Sequence, residues 1–155
     1  MLKFYNYDIV FQEIPDETTL AVNISNCPNH CKGCHSPHLW QDEGILMTTD
    51  CIDILIQQYK GLITCFCFMG GDAEPELVDR FASYLRSNYP TLKIGWYSGC
   101  DAISKVIHLD NFDFIKIGHY DAEQGGLKNP HTNQRLYRIL PEGKKENITS
   151  RFWER

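Results

Sequence analysis

Apolar runs of strand length alternate with amphipathic helical patterns along this chain, and the alternation limits its fold more than any other feature. The runs predict strands at residues 8–14, 18–24, 62–69, 92–97, 112–117 and 134–140, the first as a strand or hairpin and the sixth as the last strand. Helices that intervene between buried apolar strands are typical of a parallel sheet with crossover connections. The sequence therefore predicts an α/β fold.

Two helical patterns have clear boundaries, and a third is short. Thr49 or Asp50 can cap the first helix, which Gly61 ends. Its apolar stripe consists of Ile52, Leu55, Ile56 and Tyr59. Pro75 begins the second helix. Its stripe consists of Leu77, Val78, Phe81, Tyr84 and Leu85. A short helix is also expected at 101–109.

Chain length narrows the architecture further. The 155 residues are expected to form a single compact domain, 1–155, with one core. A closed barrel of eight strand–helix units needs about 250 residues, so we expect either an open, partial (β/α) barrel or a doubly wound sheet. In both architectures, ligands bind at the carboxyl ends of the strands.

The cysteine loop after the second predicted strand carries the strongest chemical signal. Cys27, Cys31 and Cys34 have a C-x3-C-x2-C spacing, which can wrap three soft thiolate ligands around one inorganic centre. A cubane cluster normally takes four cysteines, so three leave one iron free to bind a small molecule. The loop thus predicts an iron–sulfur cluster with an open iron.

Zinc is the alternative occupant of this loop. His30, His35 and His38 lie close enough in sequence to complete a Cys3His site. A disulfide framework is less favoured, because the opening segment 1–14 lacks the apolar run of a signal peptide and the chain is expected in a reducing cytoplasm. Seven cysteines there indicate metal chemistry more than bridges.

Other unusual residues also follow predicted strands. Gly70 and Gly71 permit close approach of the backbone to a ligand, and the carboxylate of Asp72 can hold an amino group. A plain strand-to-helix turn is the commoner explanation of such a glycine pair. Ser98 follows the next strand, and Lys116 on a later strand can point into the binding face or lie on an exposed edge.

The four other cysteines are interpreted mainly as packing residues. Cys51 falls in a helical pattern, and Cys65 and Cys67 share one face of a strand, where a buried thiol behaves as a small apolar group. Cys100 lies near the expected mouth of the site. Packing is the plainer interpretation there too, although that position would also allow a reactive thiol.

Charge is distributed unevenly about the net value of −5. Residues 1–127 carry 8 basic and 17 acidic side chains, whereas residues 128–155 carry 7 and 3. Such asymmetry can mark a docking surface, but a solvated face is the simpler interpretation. The acidic overall balance and the absence of a long apolar segment exclude nucleic-acid binding and membrane insertion as expected functions.

The chain resembles the radical S-adenosylmethionine enzymes, in particular the activating proteins of anaerobic ribonucleoside-triphosphate reductases. The cysteine spacing matches that superfamily, and Lys32-Gly33-Cys34-His35 resembles the activases' version of the loop. Gly70-Gly71-Asp72 corresponds to the family's glycine-glycine-acid motif, with aspartate where other members of the superfamily have glutamate. Later segments that look similar are Trp96-Tyr97-Ser98-Gly99, residues 113–120 and Thr132-Asn133-Gln134-Arg135-Leu136-Tyr137. Cys100 departs from the tyrosine that is frequent after the Ser-Gly pair.

The resemblance implies a fold and an activity. The fold would be the open partial barrel of the small radical S-adenosylmethionine type. Cys27, Cys31 and Cys34 would hold a [4Fe-4S] cluster whose open iron binds S-adenosylmethionine, and reductive cleavage would yield a 5′-deoxyadenosyl radical that takes hydrogen from a glycine of the reductase. Gly70, Gly71 and Asp72 would receive the methionyl amino group, with Ser98 and Lys116 as candidates for the carboxylate or ribose.

The implied partners are the anaerobic reductase as protein substrate and an electron donor such as flavodoxin or ferredoxin. The basic segment and residues 125–131 would contribute to docking, with Arg135 and Arg138 as candidates. Two alternatives remain: another small radical S-adenosylmethionine enzyme, such as the activase of a different glycyl-radical enzyme, and a zinc-binding interaction module.

Overall fold

Eight strands form one mixed sheet in the computed structural model, which describes residues 1–29 and 41–153. The strands are β1 (Lys3–Val10), β2 (Thr19–Ile24), β3 (Ile45–Leu46), β4 (Cys65–Met69), β5 (Lys93–Tyr97), β6 (Phe114–Ile117), β7 (Arg135–Leu140) and β8 (Lys144–Asn147). The helices are α1 (Thr49–Gln58) and α2 (Pro75–Asn88), with short 3-10 turns at Leu109–Asn111, Pro141–Gly143 and Thr149–Trp153.

The centre of the sheet is parallel and its flanks are antiparallel. The strand order is β3-β1-β2-β4-β5-β6-β7-β8. β2, β4, β5 and β6 run parallel to one another, whereas β1 and β3 on one side and β7 and β8 on the other pair antiparallel. The predicted α/β fold is thus confirmed. Its assignment to the radical S-adenosylmethionine type of barrel stays a prediction.

Alternation along each strand separates two layers of side chains. In β4, Phe66 and Phe68 lie in the core against the helices, whereas Cys65 and Cys67 belong to a second buried cluster on the other face. Both helices pack into the first of these layers. A doubly wound sheet has helices on both faces, and the described residues do not form one.

The cap of α1 and the bounds of the first strand differ from the predictions. Thr48 caps α1, because its hydroxyl accepts a hydrogen bond from the backbone N–H of Cys51 at 3.1 Å, in place of Thr49 or Asp50. The first strand covers Lys3–Val10 rather than 8–14. Two strands, β3 and β8, were not predicted, so the strand expected to be last is the seventh.

The helix predicted at 101–109 is wrong. The segment before the 3-10 turn Leu109–Asn111 forms only turns and bends. Asp79 on α2 accepts hydrogen bonds from the backbone N–H of His108 at 2.8 Å and from the side chain of Asn111 at 3.1 Å, while Ile107 is buried. These tertiary contacts hold the segment against α2 and outweigh its local helical pattern.

Among residues 1–29 and 41–153, no helix combines the length and the apolar character that crossing a bilayer requires.

Candidate functional site

The four parallel strands end side by side, and the predicted site residues follow those ends. Cys27 comes after β2, Asp72 after β4 and Ser98 after β5, while Lys116 lies near the end of β6. The carboxyl edge of a parallel sheet collects the loops that follow its strands, so residues distant in sequence become neighbours there.

The structure describes the cysteine loop up to residue 29 and the chain again from residue 41 onward. Asn26 adopts a left-handed backbone conformation with φ of 59°, and its N–H donates to the carbonyl of Gln41 at 2.8 Å. Cys27 is partly buried next to this closure. Cys31 and Cys34 lie outside the described residues, as do His30, His35 and His38. Within the described ranges, no group of three or more metal-binding side chains is assembled.

Asp72 connects the cysteine loop to the turn after β5. Its Oδ1 accepts a hydrogen bond from the Ser98 hydroxyl at 2.5 Å. Its Oδ2 accepts bonds from the side-chain amide of Asn29 at 2.7 Å and from the backbone N–H of Gly99 at 2.8 Å. Charge-assisted hydrogen bonds of this kind are stronger than neutral ones, so the carboxylate holds three loops in one arrangement.

The two glycines before Asp72 are required by packing. Gly70 and Gly71 have φ of 110° and 94°, a conformation that favours glycine. A Cβ at Gly71 would lie 2.5 Å from Cγ2 of Val78, and one at Gly70 would lie 3.1 Å from the carbonyl oxygen of Ile24. The glycine pair therefore allows the turn after β4 to pack closely against α2 and β2. The sequence alone does not distinguish this packing role from close approach to a ligand.

Lys116 points to the face opposite the helices, although it lies on an apolar strand. It is buried, and its ammonium donates to the carbonyls of Ser98 at 3.0 Å and Gly118 at 2.9 Å. The same ammonium lies 5.7 Å from the centre of the Tyr97 ring. Lys116 thus links the turn that carries Ser98 to the floor of an adjoining cavity.

This cavity has a volume of 720 Å³ and lies on the face opposite the helices. Its lining consists of Gln12, Glu13, Asn23, Met69, Tyr97, Lys116, Tyr120, Gly126, Leu127, Lys128, Asn129, Gln134 and Phe152. The volume is within the range of sites for small molecules and cofactors, which combine apolar walls with a few polar groups.

Buried sulfur atoms pack on the face of β4 that is opposite the helices. Cys67 Sγ lies 3.6 Å from Sδ of Met69. Burial raises the pKa of Cys65 to about 12 and that of Cys67 well above its usual value. Both thiols are therefore neutral packing groups, as predicted.

Cys100 is exposed at the mouth, beside the Asp72 cluster. Its thiol donates to Oδ1 of Asn29 at 3.8 Å. Partial burial and the carboxylate of Asp72 raise its pKa. A thiol with a raised pKa is less nucleophilic near neutral pH, so the environment does not activate Cys100.

Sequence reasoning missed several residues of this region. Asn29 lies inside the cysteine motif, but the spacing assigns no role to any of the three residues between Cys27 and Cys31. Tyr97 is the last residue of β5, and its alternation with the buried Trp96 is the signal that could have placed it on the face away from the helices. Gln12 and Gln134 reach the cavity from segments whose placement depends on tertiary packing.

A family model described as a 4Fe-4S single cluster domain matches residues 18–140, about four fifths of the chain, and this span includes all three cysteines of the loop. The search of curated proteins finds no match. The search of solved structures also finds none.

Proposed function

The chain belongs to the family of 4Fe-4S single cluster domains, and from this premise we propose that it is an enzyme that cleaves S-adenosylmethionine reductively and generates a glycyl radical on an anaerobic ribonucleotide reductase. The observation that carries the proposal is the juxtaposition at the sheet edge. Asn29 of the cysteine loop donates hydrogen bonds to Asp72 and to Cys27 of the same loop, and Ser98 connects this group to the cavity through Lys116.

The residues present suit a [4Fe-4S] cluster. Cys27, Cys31 and Cys34 would hold it, because thiolates are the donors that such clusters prefer and three of them leave one iron for a small molecule. When bound, the cluster supplies an electron to the sulfonium of S-adenosylmethionine, which breaks into methionine and a 5′-deoxyadenosyl radical that takes hydrogen from a glycine Cα of the reductase. An electron donor such as flavodoxin or ferredoxin would replace that electron.

Asp72 would receive the methionyl amino group. Its carboxylate already gathers donors from Asn29, Ser98 and Gly99 at one point of the sheet edge. An ammonium would add a charged donor there, and charge-assisted hydrogen bonds are stronger than neutral ones. Gly70 and Gly71 would contribute backbone at the same place, since neither carries a side chain that could block it.

The cavity would receive the rest of the cofactor. The ammonium of Lys116 places positive charge beside Ser98, which suits a carboxylate, and the ring of Tyr97 offers an apolar surface. The apolar side chains of Met69, Leu127 and Phe152 would exclude water from this space.

Docking of the reductase would use the basic segment and residues 125–131. Two of its arginines already have partners: Arg135 donates to the carbonyl of Thr132 at 2.6 Å, and Arg138 pairs with Glu146. Charge reversal at both positions should weaken activation of the reductase without changing cleavage of S-adenosylmethionine. Unchanged activation would remove them from the docking surface.

Electron paramagnetic resonance on anaerobically reconstituted, dithionite-reduced protein tests the proposal. A [4Fe-4S]⁺ signal that changes shape when S-adenosylmethionine is added, with release of 5′-deoxyadenosine, is the expected result. Mixing with the anaerobic reductase should then give a glycyl-radical signal. The Asp72→Ala variant should keep its cluster signal but lose the spectral response to S-adenosylmethionine, and Glu142→Ala, a change at an exposed turn, is the matched control.

Two other results have clear meanings. Cleavage without a glycyl radical would assign the chain to another small radical S-adenosylmethionine enzyme. A cluster signal that S-adenosylmethionine leaves unchanged, with no cleavage, would refute the proposed chemistry. Stoichiometric zinc in place of iron would instead favour the interaction module.

A further inference from the structure

We infer that Asn29 is a positioning residue for the iron–sulfur cluster, which fixes Cys27 against the sheet edge and donates a hydrogen bond to its sulfur. The Nδ2 atom of Asn29 lies 2.7 Å from Oδ2 of Asp72 and 3.8 Å from Sγ of Cys27. The inference rests on the part of the proposed function in which Cys27 is a cluster ligand. It does not depend on cleavage of S-adenosylmethionine.

The chemistry of the neighbours fixes the orientation of the Asn29 amide. An ionised carboxylate accepts hydrogen bonds and cannot donate them, so the NH₂ group must face Asp72. The carbonyl oxygen then faces Cys100, whose thiol donates to it at 3.8 Å. One NH₂ group has two hydrogens, and Cys27 is the second acceptor within reach.

The surrounding residues keep this amide in place. Ser98 and Gly99 donate hydrogen bonds to the carboxylate of Asp72, which Asn29 also binds. These two bonds hold Asp72 in position for Asn29. Gly99 also provides the space, because a Cβ there would lie 2.7 Å from Nδ2 of Asn29. A larger residue at position 99 would displace the amide from both of its acceptors.

A hydrogen bond to a ligating sulfur has a direct electrochemical consequence. Reduction adds negative charge to the cluster and its thiolates, and an N–H donor stabilises that added charge. Asn29 therefore raises the reduction potential of the cluster and makes it easier to reduce.

A redox titration followed by electron paramagnetic resonance tests the inference. Asn29→Leu keeps the size of the side chain but removes both donors, and its midpoint potential should shift to a more negative value than that of the wild type. Asn88→Leu removes an exposed amide at the end of α2 and is the matched control, with an unchanged potential. An unchanged potential in an Asn29→Leu protein with full iron content would overturn the inference.

A second measurement decides the matter if Asn29→Leu does not retain iron. Wild-type protein carrying ¹⁵N only in its asparagine side-chain amides is reduced and studied by pulsed electron paramagnetic resonance. A hyperfine coupling between the cluster spin and a labelled nitrogen is expected, because Nδ2 of Asn29 lies in contact with the ligand sulfur. Absence of that coupling in the reduced protein would overturn the inference.

These outcomes are separable from those that test the proposed function. A protein that shows the potential shift but does not cleave S-adenosylmethionine would retain the role of Asn29 and lose the radical chemistry. A protein that cleaves S-adenosylmethionine, with no shift and no nitrogen coupling, would retain the chemistry and lose the role of Asn29.

Discussion

Asp72 and Asp79 are bound into the molecule in the same manner but at different places, Asp72 at the carboxyl edge of the parallel strands and Asp79 on α2. Each carboxylate accepts several hydrogen bonds from a loop distant in sequence. Those on Asp79 come from the backbone and ring of His108 and from Asn111, and they fix a connection against α2. Those on Asp72 join the cysteine loop to the turns at the sheet edge.

The difference teaches that a buried, hydrogen-bonded carboxylate does not by itself make a functional site. Asp79 follows the start of a helix and supports the fold. Asp72 follows a central parallel strand next to the cysteine loop, and Ser98 and Lys116 connect it to the cavity. Position relative to the sheet separates the two roles, and substitutions at each can test that separation.

Removal of Cys27, a predicted cluster ligand in the loop that Asp72 binds, should have the largest effect. Cys27→Ala is expected to abolish cluster assembly, because two thiolates from the loop cannot hold a cubane. Iron content and visible absorbance after anaerobic reconstitution measure this. Cys67→Ala is the control, since its thiol packs in the core, and it should retain iron while losing about 1 kcal/mol of unfolding free energy. Full iron content in Cys27→Ala would remove that residue from the ligand set.

Substitution of the two aspartates by alanine separates their roles. Asp79→Ala should lower the free energy of unfolding by about 2–3 kcal/mol, because donors on His108 and Asn111 lose a charged acceptor. Its iron content should not change. Urea denaturation, iron analysis and electron paramagnetic resonance with S-adenosylmethionine are carried out on Asp79→Ala and Asp72→Ala. The contrast between the two residues fails if Asp79→Ala also impairs the spectral response to S-adenosylmethionine.

A smaller effect is expected from a substitution of Gly99, whose backbone N–H binds Asp72. Gly99→Ala adds a methyl group that would meet the amide of Asn29, at an expected cost of about 1 kcal/mol in unfolding free energy. It should also shift the cluster potential in the direction of Asn29→Leu. Gly126→Ala is the matched control, because its added Cβ has its nearest neighbour at 3.8 Å. Equal behaviour of the two variants would show that the space at Gly99 is not needed.

The smallest expected effect is a pH dependence of the free energy of unfolding, which the Asp79–His108 pair produces. The hydrogen bond and charge of Asp79 raise the pKa of His108 above the ordinary value of 6.5. The folded state therefore binds this proton more tightly than the unfolded state does, so the added stability is complete below the unfolded pKa and is lost as pH rises through the folded pKa.

The Asp79→Asn variant should weaken this dependence, as measured by urea denaturation at several pH values. The effect is small because the His108 side chain is 78% exposed. If the free energy of unfolding depends on pH identically in the variant and the wild type, the His108–Asp79 pair is not the source of that dependence.

Much of the fold was predictable, because alternation and helix-start signals are local. The bounds of β2, β5 and α2 follow from apolar runs and from Pro75. The connection at 101–109 was not predictable from its own pattern, since its conformation depends on Asp79, more than twenty residues earlier in the chain. The edge strand β3 is only two residues long, too short to give a periodic signal.

The sequence indicates candidate ligands for this site more readily than the residues that support them. Thiol spacing and strand ends indicated Cys27 and Asp72 directly. The role of Asn29 requires the register that brings β2, β4 and β5 into parallel alignment, which no single segment specifies. The purpose of Gly71 depends likewise on Val78 of α2.

The hydrogen bond from Asn26 to Gln41 has a consequence for how metal binding and folding are related. The sheet brings the two ends of the cysteine loop together, so the entropy of closing this loop is already accounted for by strand pairing. The sheet can then fold without the metal, unlike a zinc finger, which is unfolded without its ion. Chelation should empty the site and leave a folded sheet that still unfolds cooperatively, at a lower urea midpoint, because a group that binds only the folded state stabilises it.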